Sequence, residues 1–301
     1  MPESFTDGLK LNKIVKITLS VAMGASVLSL WAALASAAPV EVFVSIPPQK
    51  YLVDRLGGEH VKTHVLVGEG QSPHLFQPTS KQVMALSQAK VFFTVDMEFE
   101  HIFVHKLEES VQSLRVLNSV RSIEKVPLQG HEHHAGKHAT LDPHVWLAPA
   151  NLKIMALNMT EALSSVDPIN EQLYEKNLEI IVGELDELDR AIQKELAPLA
   201  GATFYVFHPS FAYFARSYNL HQEAVEVGGK SPTPKQLAAL IAKAKAEQVK
   251  VLFVQEQFDP RSAKVVAQAT GAKVLPLNPL AENVVKNLLD ISRNIHSALS
   301  R

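Results

Sequence analysis

The chain of 301 residues has no cysteine. Disulfides, thiolate metal ligands and a thiol nucleophile are therefore excluded, and no cysteine is present to carry a lipid anchor. Charge of one sign is also lacking. With 29 basic against 31 acidic residues and a formal net charge of −2, and without a long basic run, no nucleic-acid partner is indicated. Aromatics make up 7%, with two tryptophans. A chain that is 47% hydrophobic and 20% charged is globular, and its length suits one large domain or two ordinary ones.

Long apolar runs are confined to the N-terminus. Lys10, Lys13 and Lys16 precede "ITLSVAMGASVLSLWAALASAAPV", and Ala35-Ser36-Ala37 fits the A-x-A cleavage pattern. Residues 1–37 are expected to be a signal peptide, with the mature protein starting near Ala38 in the periplasm. Thr18, Ser20, Gly24, Ser26 and Ser29 make this stretch a poor spanning helix.

From residue 40 onward, short β-rich runs alternate with helical patterns. "VEVFVSI" reads as a strand and "KYLVDRLGG" as a helix stopped by Gly57-Gly58. "VKTHVLVG", "KQVMALSQA", "KVFFTVD" and "PANLKIMALNMTEALSSVD" read as strand, helix, strand and helix. Pro168 to Leu196 suits one long helix, with Asp167 as its cap and apolar residues at Leu178, Ile181, Val182, Leu185 and Leu188. The second half repeats the rhythm, from "TFYVFH" to a last strand "AKVLPLN" and a terminal helix "AENVVKNLLDISRNIHSAL". Strands separated by helices predict an α/β fold with mainly parallel sheets. The expected organisation is an N-terminal lobe at 38–166, a linking helix at 167–197 and a C-terminal lobe at 198–301.

Histidine is the abundant oddity. Four of the 13 lie in "HEHHAGKH", residues 131–138. Its glycine, small residues and polarity mark a loop, so His131, His133, His134 and His138 are expected to be at most a weak accessory metal site. Ligand sites in open α/β sheets lie beyond the C-terminal strand ends. There stand His74 in "SPHLFQP", His144 in "LDPHVWL", His208 after "TFYVF", Glu256 after "VLFVQ" and Asn278 after "KVLPL". Each of the three histidines touches a proline (Pro73, Pro143, Pro209), which restricts the backbone carrying the ring. Three imidazoles and one oxygen suit tetrahedral zinc in an inter-lobe cleft. His60, His64, His101, His105, His221 and His296 are read as structural. His101 and His105 share a helix face but lack the glutamate that a metalloprotease helix carries beside its first histidine.

The stretches "SPHLFQPTSKQVMALSQAKVFFTV", "DPHVWLAP", "FYVFHPSFAYFARSYNL" and "QEQFDPRSAKVVAQATGAKVLPLNPLAENVVKNLLDI", in this order, resemble the zinc/manganese solute-binding proteins of bacterial ABC transporters, the ZnuA/TroA type. The resemblance covers about residues 40–298. It implies a monomeric periplasmic binding protein, not an enzyme, that captures a metal at His74, His144 and His208 and delivers it to an inner-membrane permease with its ATPase. The family's usual fourth ligand, an aspartate, is Asn278 here, so Asn278 or water is expected to complete the site. Gln77 stands where many members have glutamate. Fewer oxygens favour Zn²⁺ over Mn²⁺. The alternatives are a manganese- or iron-binding member, a periplasmic zinc hydrolase with Glu256 or Glu223 as base, and a metal buffer without a transporter.

Overall fold

The computed structural model describes residues 38–128, 141–226, 233–257 and 261–300. The expected signal segment 1–37 and the His-rich stretch 131–138 lie outside them.

The first lobe runs β1 (Val40–Val44), α1 (Pro47–Gly57), β2 (Val61–Val65), α2 (Ser80–Leu86), β3 (Val91–Thr94), α3 (Glu98–Ser110) and β4 (Arg115–Asn118). Its four strands form a parallel sheet in the order β2-β1-β3-β4. α1 ends where foreseen. A Cβ on Gly57 would lie 2.2 Å from Val61, and Gly58 turns the chain at φ 54°. α2 starts at the Thr79 hydroxyl, which accepts from Gln82 N. Nothing in the sequence pattern marks β4. "RVLN" is an edge strand with exposed ends, so it lacks the apolar run that identifies β1 and β3.

α4 (Pro149–Val166) leads into α5 (Glu171–Leu196), an α-helix of 26 residues, or about 39 Å at ~1.5 Å per residue. The long helix starts slightly later than the sequence suggests. Pro168–Asn170 form a 3-10 turn, and the Asp167 carboxylate binds the side chains of Asn170 and Tyr174 instead of capping backbone. Tyr174, Ile181, Leu185, Leu188, Ile192 and Leu196 make its buried stripe. Charged ties flank that stripe at Arg55–Glu184 and Lys153–Asp186, both 2.6 Å.

The second lobe runs β5 (Thr203–Val206), α6 (Ala212–Ser217), β6 (His221–Ala224), α7 (Pro234–Ala246), β7 (Val251–Val254), α8 (Arg261–Thr270), β8 (Lys273–Pro276) and α9 (Val284–Leu299). Its parallel sheet has the order β6-β5-β7-β8, the same pattern as the first. Two parallel-sheet lobes with their helices and a long helix are the expected α/β architecture. α5 packs against α1, α4 and the returning α9. One apolar core therefore runs from Val42, Phe92 and Leu152 through Ile181 and Leu188 to Phe204, Phe253 and Ile291. A smaller cluster, including Tyr205, Leu240 and Val266, fills the other face of the second sheet. No described helix is long and apolar enough to cross a membrane.

Candidate metal centre

Three loops deliver the three histidines. Pro73 opens the 3-10 turn Pro73–Leu75 that carries His74. His144 is the residue from which the 3-10 turn Val145–Leu147 starts, just ahead of α4. His208 lies two residues beyond β5, and its backbone is clamped by the buried Gln255, whose Oε1 accepts from His208 N at 3.0 Å and whose Nε2 donates to His208 O at 2.8 Å.

The rings converge. Nε2 of His144 lies 3.1 Å from that of His74 and 3.3 Å from that of His208, and the ring centroids are 4.9–5.2 Å apart. Each Nδ1 points outward to a carboxylate: Glu98 at 3.2 Å from His74, Asp142 at 2.7 Å from His144 and Glu226 at 2.7 Å from His208. With Nδ1–H donating outward, each Nε2 lone pair faces the centre, the arrangement of a carboxylate–histidine–metal triad. Among the described residues this trio is the group of side chains that could hold a metal. It faces a cavity of ≈ 10 Å³ also lined by Pro73, Trp146, Gln257, Pro279 and Leu280. That is room for one water-sized occupant.

Burial sets the electrostatics. His144 and His208 are 4% and 2% exposed. Desolvation holds the His144 pKa below its ordinary value against the opposing pull of Asp142, and pushes His208 well below, helped by the other two rings. Both are neutral, ligand-ready imidazoles near pH 7. Glu226, 7% exposed, is pushed up to about 7 by burial. Glu98 is lowered, chiefly by its bond to His74.

The lobes are tied across the site. Tyr213 Oη donates to the Asp142 carbonyl, and Trp146 Nε1 to the Pro279 carbonyl, both at 2.7 Å.

Other expected residues fall elsewhere. Asn278 does not line the cavity. Its Oδ1 accepts from Leu280 N at 2.8 Å, an Asx turn, and from Gln257 Nε2 at 3.3 Å. Glu256 and Gln77 are exposed, and Glu223 pairs with Lys243. His64, His101, His105 and His296 pair with Glu41, Asp96, Glu109 and Glu195. His131, His133, His134 and His138 lie outside the described residues. The outward carboxylates were not foreseen, nor were Gln255 and Gln257. Asp142 had a signal in its position two residues before His144. Glu226 had none, because its approach to His208 follows from β6 lying beside β5.

A protein-family model described as "Zinc-uptake complex component A periplasmic", ZnuA, matches residues 42–300. The "High-affinity zinc uptake system protein ZnuA" of Bacillus subtilis (strain 168) is 29% identical over 229 residues, covering 72% of this chain and 70% of that protein. Among solved structures, "Crystal structure of ZnuA" superposes with a TM-score of 0.81 at 35% identity, covering 86% of this chain and 99% of the other. "Crystal structure of 138-173 ZnuA deletion mutant plus zinc bound" gives 0.80 at 35%, over 86% and 98%.

Proposed function

The chain belongs to the ZnuA family of periplasmic zinc-uptake components, and from that membership we propose that it captures one Zn²⁺ between His74, His144 and His208 and hands it to an ABC-type permease. The observation that carries this reading is the convergence of three Nε2 atoms, with neighbouring separations of 3.1 and 3.3 Å. Tetrahedral nitrogens at ~2.0–2.1 Å from zinc stand about 3.3–3.4 Å apart, so the rings already hold nearly the required spacing. Zinc is the cargo, not a resident cofactor. Nitrogen-rich ligation favours it over Mn²⁺, which asks for more oxygens.

The same geometry supports carriage over hydrolysis. The carboxylates next to the rings are engaged in orienting them, which leaves none among the described residues as a general base. The cavity of ≈ 10 Å³ suits an ion rather than an organic substrate. Partner delivery follows from the uptake family, and the protein is proposed to act as a monomer after removal of residues 1–37.

Competition titration of residues 38–301 with Zn²⁺ tests the site. His74→Ala, His144→Ala and His208→Ala are each expected to weaken binding by more than the roughly 10–100-fold typical of outer-shell changes. Unchanged affinity in all three overturns the assignment. Delivery is tested by growth under zinc limitation in cells that hold a cognate permease, where the His144→Ala chain is expected to fail.

A further inference from the structure

Gln257 sits three residues past β7 and lines the cavity with the three histidines. The surrounding bonds fix which end of its amide faces where. Asn278 Oδ1 accepts from the backbone N–H of Leu280 at 2.8 Å, so that atom is the oxygen. The Gln257 atom 3.3 Å from it must then be the nitrogen, Nε2. Its Oε1 is consequently turned away from Asn278. That oxygen is buried and has no hydrogen-bond partner among the described residues, a state that buried carbonyl oxygens avoid.

We propose that Gln257 Oε1 is the fourth ligand of the bound ion. The proposal rests on the reading that His74, His144 and His208 hold that ion. Asn278 takes the role of a positioning residue, gripping Nε2 so that Oε1 is presented to the ion. Neither Asn278, whose oxygen is already engaged, nor the exposed Glu256 then contributes a ligand atom.

All four ligands are then neutral. The carboxylates that balance the dication, Glu98, Asp142 and Glu226, stand one shell out, on the far side of the rings. A neutral N₃O set binds a borderline ion such as Zn²⁺ and discriminates against hard, carboxylate-seeking ions. It also holds the ion less tightly than a set containing a carboxylate, which suits a carrier that must release its load.

The test uses Zn²⁺ competition titrations and the visible spectrum of the Co²⁺-loaded protein, on residues 38–301. Gln257→Ala is expected to weaken Zn²⁺ binding by roughly tenfold or more and to alter the Co²⁺ ligand-field bands. Gln257→Glu keeps an oxygen for the ion but loses the bond to Asn278, so it is expected to bind more tightly than Gln257→Ala, with a band shift of its own. Melting of the metal-free variants controls for folding, since removing an unpaired buried oxygen leaves the fold intact. If Gln257→Ala keeps both the parent affinity and the parent Co²⁺ spectrum while the histidine variants lose binding, the Gln257 assignment is overturned and the three-histidine site stands. If the histidine variants also bind normally, the site reading itself falls.

Discussion

Replacing Glu226 by glutamine probes how loading and protonation are linked. Glu226 lies 2.7 Å from His208 Nδ1 and is pushed by burial from 4.5 to about 7. The metal-free protein at pH 7 therefore carries the Glu226 proton in about half of its molecules, in about nine-tenths at pH 6 and about one-tenth at pH 8. A dication on the far side of the His208 ring favours the ionised carboxylate, which releases that proton. Loading is thus expected to release about 0.5 proton from this group at pH 7, and Zn²⁺ affinity to lose about fivefold between pH 7 and pH 6 from this source. Isothermal titration calorimetry in two buffers of different ionisation enthalpy reads the proton count. Glu226→Gln removes that increment and costs roughly 10–100-fold in affinity through the weaker support of His208.

The metal-free protein responds in the opposite sense. A folded pKa raised above 4.5 gives stability that is full below pH 4.5 and lost as pH rises toward 7. Glutamine, which carries no charge to bury, is therefore expected to stabilise the metal-free fold at pH 7 and above by up to about 3 kcal/mol, the equivalent of the shift, with little effect at pH 4. An unchanged proton count in Glu226→Gln, or a metal-free protein no more stable at pH 8 than the parent, refutes this account.

His144 and His208, whose pKa values lie below the ordinary 6.5, make the metal-free fold lose stability as pH falls below 6.5, because the unfolded chain takes up protons that the buried rings refuse. Glu100, likewise buried and raised to about 7, opposes this slope as Glu226 does, so acid melting curves of Glu100→Gln/Glu226→Gln should display it; a flat profile from pH 6.5 to 4.5 counts against it. Trp146 is fully buried, meets the His144 ring edge-on at 5.4 Å and is the single tryptophan of residues 38–301. Its fluorescence should change on Zn²⁺ addition and saturate at one equivalent, and a signal indifferent to the metal argues against an ion at His144. Gly183 is exposed within α5, and no heavy atom lies within 4 Å of an added Cβ. Gly183→Ala should stabilise the fold by up to about 1 kcal/mol and raise Tm by roughly 2–4 °C without touching zinc affinity; a lower Tm would mean that the helix needs glycine there.

The sheets and the ring trio were legible because they leave period and position in the sequence. Apolar runs mark β1, β3, β5 and β7, and each histidine sits beside a proline in a loop that follows a strand. Gln257 was hidden by a choice of chemistry over geometry. In "QEQ", the carboxylate of Glu256 looks the better ligand. The turn that follows β7 instead leaves Gln255 buried, Glu256 exposed and Gln257 in the cavity wall. Asn278 shows the converse. Its place after β8 is right for a ligand, yet an Asx turn, a bond two residues long, claims its oxygen. Glu226 was illegible for another reason. Its link to His208 depends on β6 lying beside β5, a pairing that spacing along the chain does not specify.

A core shared by both lobes, with α9 fastened along α5, resists any wide swing of one half against the other. Unloading then becomes a matter of which bond yields first. His144 and His208 are sunk in the interior, whereas the His74 side chain is 20% exposed on a turn of three residues. A docking partner that lifts only Pro73–Leu75 would strip one ligand and open the remainder to exchange. The dwell time of the ion would then be a property of that short turn, largely independent of the strut that spans the molecule.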